Sequence, residues 1–156
     1  LYYASEGLAA MTADLRAAFA AKALANPGFA GVVPVGDAFQ LAVDQGIAKG
    51  DDFYNAEGTY AAAVPQDKIN LWWIDYLHAS KYGSYLSAMV MFGTLTGIDP
   101  WSFGANEQAA ADLGISPGDA VKLQHVASEQ LYLSGVALRR VLCLHANPKS
   151  AGCRNR

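Results

Sequence analysis

Gly31-Val32-Val33-Pro34-Val35-Gly36-Asp37-Ala38-Phe39 passes within a few residues from a β-branched apolar run to a turn and then to a helix start. Consecutive apolar residues suit a strand covered on both faces, so the run predicts an interior parallel strand whose ladder Pro34 limits. Gly36 and Asp37 supply a turn and an N-cap, and Phe39, Val43 and Ile47 give the following helix its buried face until Gly50 stops it. Before the run, Leu8, Met11, Leu15, Phe19 and Ala23 recur at steps of three or four, which predicts a helix over 7–25 ended by Asn26-Pro27-Gly28. Helices alternating with one or two short apolar strands imply an α/β layered fold, with the rest of the sheet coming from elsewhere.

Beyond Gly50, residues 51–67 mix Asp, Asn, Gly and Pro with isolated aromatics and predict an irregular surface loop. Ile69 to Trp73 restores a short apolar segment. The uncharged residues 82–98 then predict a buried core helix over 81–96, stopped by Gly97 and Pro100. This stretch is broken by Ser, Thr and Gly and is too short for a comfortable bilayer span, so no membrane span is expected. Asn106 caps a helix ending near Gly114, and Ser116-Pro117 opens a long helix running through Leu142, with Arg139 and Arg140 as its solvated end.

The chain has 156 residues, 53% hydrophobic and 16% charged, a balance that suits one domain with a large buried fraction and excludes disorder. A net charge of -3, with Lys and Arg scattered singly until Arg139-Arg140, offers no cationic field for phosphates, so nucleic acid is not expected as a partner. Leu1-Tyr2-Tyr3 reads as the tail of an apolar strand, which predicts that processing or truncation has removed something upstream. Cys143 and Cys153 are separated by Pro148 and Gly152, which let the chain turn back. A disulfide there, worth roughly 2–3 kcal/mol, would point to an exported protein. Two unrelated thiols are the other reading.

Chemistry concentrates in Trp73-Ile74-Asp75-Tyr76-Leu77-His78-Ala79-Ser80. A carboxylate three positions before a histidine on a turn can reach the imidazole Nδ1, fix its tautomer and stabilise the imidazolium formed when the other nitrogen takes a proton. Trp72, Trp73, Tyr76 and Tyr82 crowd this pair, and Trp73 and Tyr76 are the candidates to line an acyl or sugar pocket. Ser80 is placed to cap the helix that starts at Lys81, as Ser5 is for the first helix. His125 and Glu129 stand one helical turn apart without further ligands, so no metal is expected, nor is any cofactor. His145 has no evident acidic partner.

The wider string Asp75-x-x-His78-x-Ser80-x-x-Gly83-x-Tyr85-Leu86-x-Ala88, continuing to Leu95-Thr96-Gly97-x-Asp99-Pro100, resembles the last motif block of SGNH (GDSL-like) hydrolases. Val33-Pro34-Val35-Gly36-Asp37-Ala38-Phe39 resembles the strand and helix start that many bacterial members place ahead of it. Ala79 stands where the family usually carries proline. The resemblance covers roughly the first 100 residues and implies that residues 1–100 are the C-terminal portion of a hydrolase domain; residues 101–156, which it does not cover, are expected as a helical extension packed on the same domain.

What the resemblance implies for the fold is a three-layer α/β/α sandwich with a short parallel sheet, predominantly helical in this chain. It implies that Asp75 orients His78 and that His78 is the general base for a serine hydroxyl in the hydrolysis of a small-molecule or carbohydrate ester. The family's Gly-Asp-Ser block and oxyanion blocks do not occur in the sequence, so an upstream segment or companion chain is expected to carry the serine. The alternative is a non-catalytic helical module pairing with another chain, with Asp75 and His78 joined in a structural hydrogen bond.

Overall fold

The computed structural model describes residues 6–50, 67–73 and 78–140. They form five α-helices and one 3₁₀ turn: α1 (Gly7–Ala25), α2 (Val35–Asp44), α3 (Lys81–Thr96), the turn Pro100–Phe103, α4 (Gln108–Asp112) and α5 (Pro117–Leu133). Among the described residues extended backbone pairs only through isolated bridges, parallel at Ala48 and Ile69 and at Ile98 and Arg139, antiparallel at Trp72 and Ala79. The expected α/β/α sandwich with a parallel sheet is therefore corrected to a helical assembly.

The physical reason is visible at residues 31–35. An apolar run becomes a strand only if neighbouring strands take up its backbone groups. No described segment does so here: the amide of Val35 turns back onto the carbonyl of Val33 at 2.9 Å, and Pro34 becomes the N-cap residue of α2. Proline's fixed φ is compatible with a helix start and removes a donor that a ladder would need. Gly36 and Asp37, expected as turn and cap, lie inside the first turn of α2, where Asp37 meets the positive end of the helix dipole and pairs with Arg16 of α1. The same helix stops at Asp44, short of Gly50, because Gly46 takes a left-handed φ of 69° and the amides of Gly46 and Ile47 fold back onto Val43 and Ala42.

The core is a seam between α3 and α5, with α2 across it. Tyr85, Leu86, Met89 and Val90 of α3 face Leu123, Val126, Ala127 and Leu131 of α5, all buried. Full burial of each Leu or Val contributes roughly 1.5–3 kcal/mol, whereas an exposed pair such as Lys122 with Asp119 contributes under about 1 kcal/mol, so the seam dominates. Gly93 is what lets it close: a Cβ there would lie 2.3 Å from Leu131 Cδ1. Helix α1 is different in kind. Only Leu8 and Thr12 are buried along it, and its apolar stripe climbs out of the core, leaving Phe19 56% exposed.

Both ends of α3 and the start of α5 follow their sequence signals. Gly97 adopts φ 66° and terminates α3, and the Ser116 hydroxyl accepts from the Asp119 amide at the head of α5. Glu107, in place of the expected Asn106, caps α4 by accepting from Ala109 and Ala110. Helix α5 does not reach Leu142. Gly135, at φ 77°, turns the chain so that the Val136 amide bonds back to Leu131, and Arg139 then exchanges backbone hydrogen bonds with Gly97 and Asp99. Arg139 and Arg140 are consequently not a helix end. Arg140 instead sits 3.9 Å from Asp99 and over the Trp101 ring.

Inside the seam, Gln124 donates to the Tyr85 hydroxyl at 2.9 Å and to the Gly104 carbonyl at 3.0 Å. Burial pushes the Tyr85 phenol up to about 12, against the hydrogen bond from Gln124 and with help from the Glu107 carboxylate. A raised native value means that the unfolded chain ionises first, from about pH 10 upward. Stability from this group is thus full below pH 10 and lost as pH rises toward 12. Urea midpoints measured across that window should fall more steeply for the native sequence than for Tyr85→Phe; equal slopes would refute the assignment.

Candidate functional site

His78 is held by its backbone between two fixed elements. On one side, residues 70–73 lie against it. The Trp73 amide donates to the His78 carbonyl at 2.7 Å and the Ser80 amide to the Leu71 carbonyl at 2.9 Å, while Trp72 and Ala79 form the antiparallel bridge between these bonds. On the other side α3 begins at Lys81, capped by the Ser80 hydroxyl, which accepts from the amides of Tyr82 and Gly83. The expectation that Ser80 caps α3 is met. Ser5, like Asp75, Tyr76, Cys143, His145 and Cys153, lies outside the described residues.

Antiparallel pairing sets which of these side chains are neighbours. Residues directly opposite one another project to the same face, and successive residues alternate. Trp73 and His78 therefore share one face, and both are exposed, Trp73 at 55%. Trp72 takes the other face. It is 8% exposed and meets the Phe39 ring edge-on at a centroid distance of 5.6 Å. The two adjacent tryptophans thus separate into a core anchor and a surface platform next to the imidazole. Of the aromatic group read from the sequence, Trp72 belongs to the core, and Tyr82 is half-buried beneath the Lys81 ammonium, 5.0 Å from its ring centroid.

The close fit of residues 70–73 on α3 depends on Gly83. A Cβ at this position would lie 2.1 Å from the Leu71 carbonyl oxygen and 3.1 Å from the Ala79 Cβ. The sequence does not announce this contact, because a close backbone approach leaves no mark on the partner's residue type. Asn70 went unread for the same reason: it contributes its carbonyl, which accepts the Ser80 hydroxyl at 2.6 Å, and its Oδ1, which accepts the Trp72 amide at 3.2 Å.

Trp72 also floors an apolar cavity of about 250 Å³ between α1 and α2, walled by Leu8, Met11, Phe19, Val33 and Phe39. His78 is not among the residues that line this cavity. Elsewhere, His125 Nδ1 is 3.9 Å from Glu129, whose carboxylate also accepts from Gln45 at 2.7 Å, and the His125 ring meets Trp101 edge-on. Among the described residues no cluster of three or more His, Cys, Asp or Glu is built to hold a metal ion, and no helix is long and apolar enough to cross a membrane.

Comparison with protein families, with curated proteins and with solved structures finds no match. For the local geometry a direct check exists. Gly83→Ala should destabilise the chain by roughly 1–3 kcal/mol, since backbone at the contact cannot yield as a flexible side chain would. Thermal unfolding would measure this; a loss comparable to an exposed Ser84→Ala substitution would show the contact to be unimportant.

Proposed function

We propose that this chain supplies the proton-handling pair of a serine-type ester hydrolase, with His78 as general base and Asp75 as the carboxylate that orients it. The observation that carries the reading is the exposure of His78 beside Trp73 on one face of a short paired segment, at the start of a capped helix.

No Gly-Asp-Ser triplet occurs in the sequence, so in this reading the nucleophile comes from polypeptide outside these residues. His78 takes the proton of that serine hydroxyl as the oxygen attacks the ester carbonyl. The tetrahedral intermediate expels the alcohol, which receives the proton from His78, and leaves an acyl-serine. Water then attacks with His78 again as base, releasing the carboxylic acid and restoring the hydroxyl. Asp75 stabilises the imidazolium in both halves, and the Trp73 indole flanks the acyl or sugar portion of the substrate. The Cys143 and Cys153 thiols, if joined, would place this chemistry in an exported protein.

A second reading, a helical module that pairs with another polypeptide, is favoured by a separate observation. Leu15, Phe19, Leu24, Phe29 and Val32 are all exposed large apolar residues, and the amides of Ala30 to Val33 donate no hydrogen bond among the described residues. The two readings coincide if the partner carries the serine.

The test is kinetic. The 156 residues alone should leave a simple aryl ester untouched, whereas a polypeptide extended by its gene to include a Gly-Asp-Ser segment should hydrolyse it. In that extended protein His78→Ala should lower kcat by at least about 10³-fold and Asp75→Asn by up to about 10⁴-fold. Trp73→Ala should act mainly on KM. Undiminished turnover in His78→Ala would exclude the hydrolase reading and leave the interaction module.

A further inference from the structure

Ser80 does more than cap a helix. A hydroxyl has one proton and two lone pairs, and all three are engaged. The lone pairs accept from the Tyr82 amide at 3.2 Å and the Gly83 amide at 3.3 Å, and the proton goes to the Asn70 carbonyl at 2.6 Å. The first two bonds belong to α3. The third crosses to a segment ten residues earlier in the chain, and a helix cap has no need of it.

The consequences run along that segment one backbone group at a time. The Asn70 carbonyl is held by the Ser80 hydroxyl and the Leu71 carbonyl by the Ser80 amide. The Trp72 amide is held by Asn70 Oδ1 and the Trp73 amide by the His78 carbonyl. Gly83 clears the space for the Leu71 carbonyl to approach. Ser80 is thus bonded both to the amides that open α3 and to the strip against which His78 is paired.

We infer that Ser80 is a positioning residue for His78: its hydroxyl ties residues 70–73 to the head of α3 and thereby sets where the imidazole and the Trp73 indole stand. Ser80 touches no reacting atom in this arrangement. The effect on turnover rests on the hydrolase reading of His78, whereas the effect on the backbone does not.

Substitution separates the tether from the cap. Thr keeps both the donor and the acceptor. Asp is as good an N-cap as Ser but cannot donate to a carbonyl, and Gly is a tolerable cap with no side chain at all. In the 156-residue chain, amide hydrogen exchange of Trp73 reports the strip, and exchange of the Leu86 to Val90 amides reports α3. Ser80→Thr should leave both within twofold of the native values. Ser80→Asp and Ser80→Gly should keep the α3 amides protected while Trp73 exchanges at least tenfold faster; Gly serves as the check where Asp is too bulky for the site.

In the extended, serine-bearing protein the same two variants should lower kcat at least tenfold and raise KM as Trp73→Ala does, and Thr should keep both near native. Native-like Trp73 exchange in both Ser80→Asp and Ser80→Gly, or an unchanged kcat in an active enzyme, would overturn the inference. Absence of esterase activity in the extended native protein would instead remove the hydrolase reading, and the exchange measurement would still decide the tether.

Discussion

The arrangement around His78 depends on one backbone carbonyl, that of Leu71, lying against the first turn of α3. It accepts the Ser80 amide, and it can come so close only because position 83 has no side chain. Hydrogen bonds of this kind contribute only about 1 kcal/mol each, so none of them holds the segment alone. Together they leave four successive backbone groups of residues 70–73 with fixed partners. Once that strip is placed, Leu71 and Trp72 lie in the core and Trp73 lies with His78 at the surface.

A rigid frame stands behind this strip. The α3–α5 seam is closed by Gly93 and filled by side chains that are almost wholly buried, and Trp72 reaches toward α2 through its contact with Phe39. The part of the molecule carrying α1 and residues 29–34 contrasts with it. Its apolar side chains outnumber the positions that bury them, and among the described residues the amides of residues 30–33 have no partners like those of residues 70–73. Exposed apolar side chains occur on the α3–α5 part as well, at Leu95, Tyr132 and Leu133, but there they flank a filled core.

Residues 31–35 show where reading from sequence failed. An apolar run has no period of its own, and whether it pairs as a strand depends on backbone groups that other segments must present. None does so among the described residues, and Pro34 takes the start of α2 instead. The overlong reading of α5 failed for a related reason. Val136 and Leu138 continue the apolar pattern and do pack on the core, but from a chain that Gly135 has already turned out of the helix.

What the sequence determined by itself was local: the extents of α1 and α3, the opening of α5 and the Ser80 cap. These depend on periodicity, on side-chain capping and on glycine's access to positive φ, all settled within a turn or two of chain. Only the tertiary structure decided that the assembly is helical, that Trp72 and Trp73 part company, and that the Ser80 hydroxyl reaches the Asn70 carbonyl. Those outcomes turn on backbone carbonyls and on the approach of distant segments, and every residue type presents the same carbonyl.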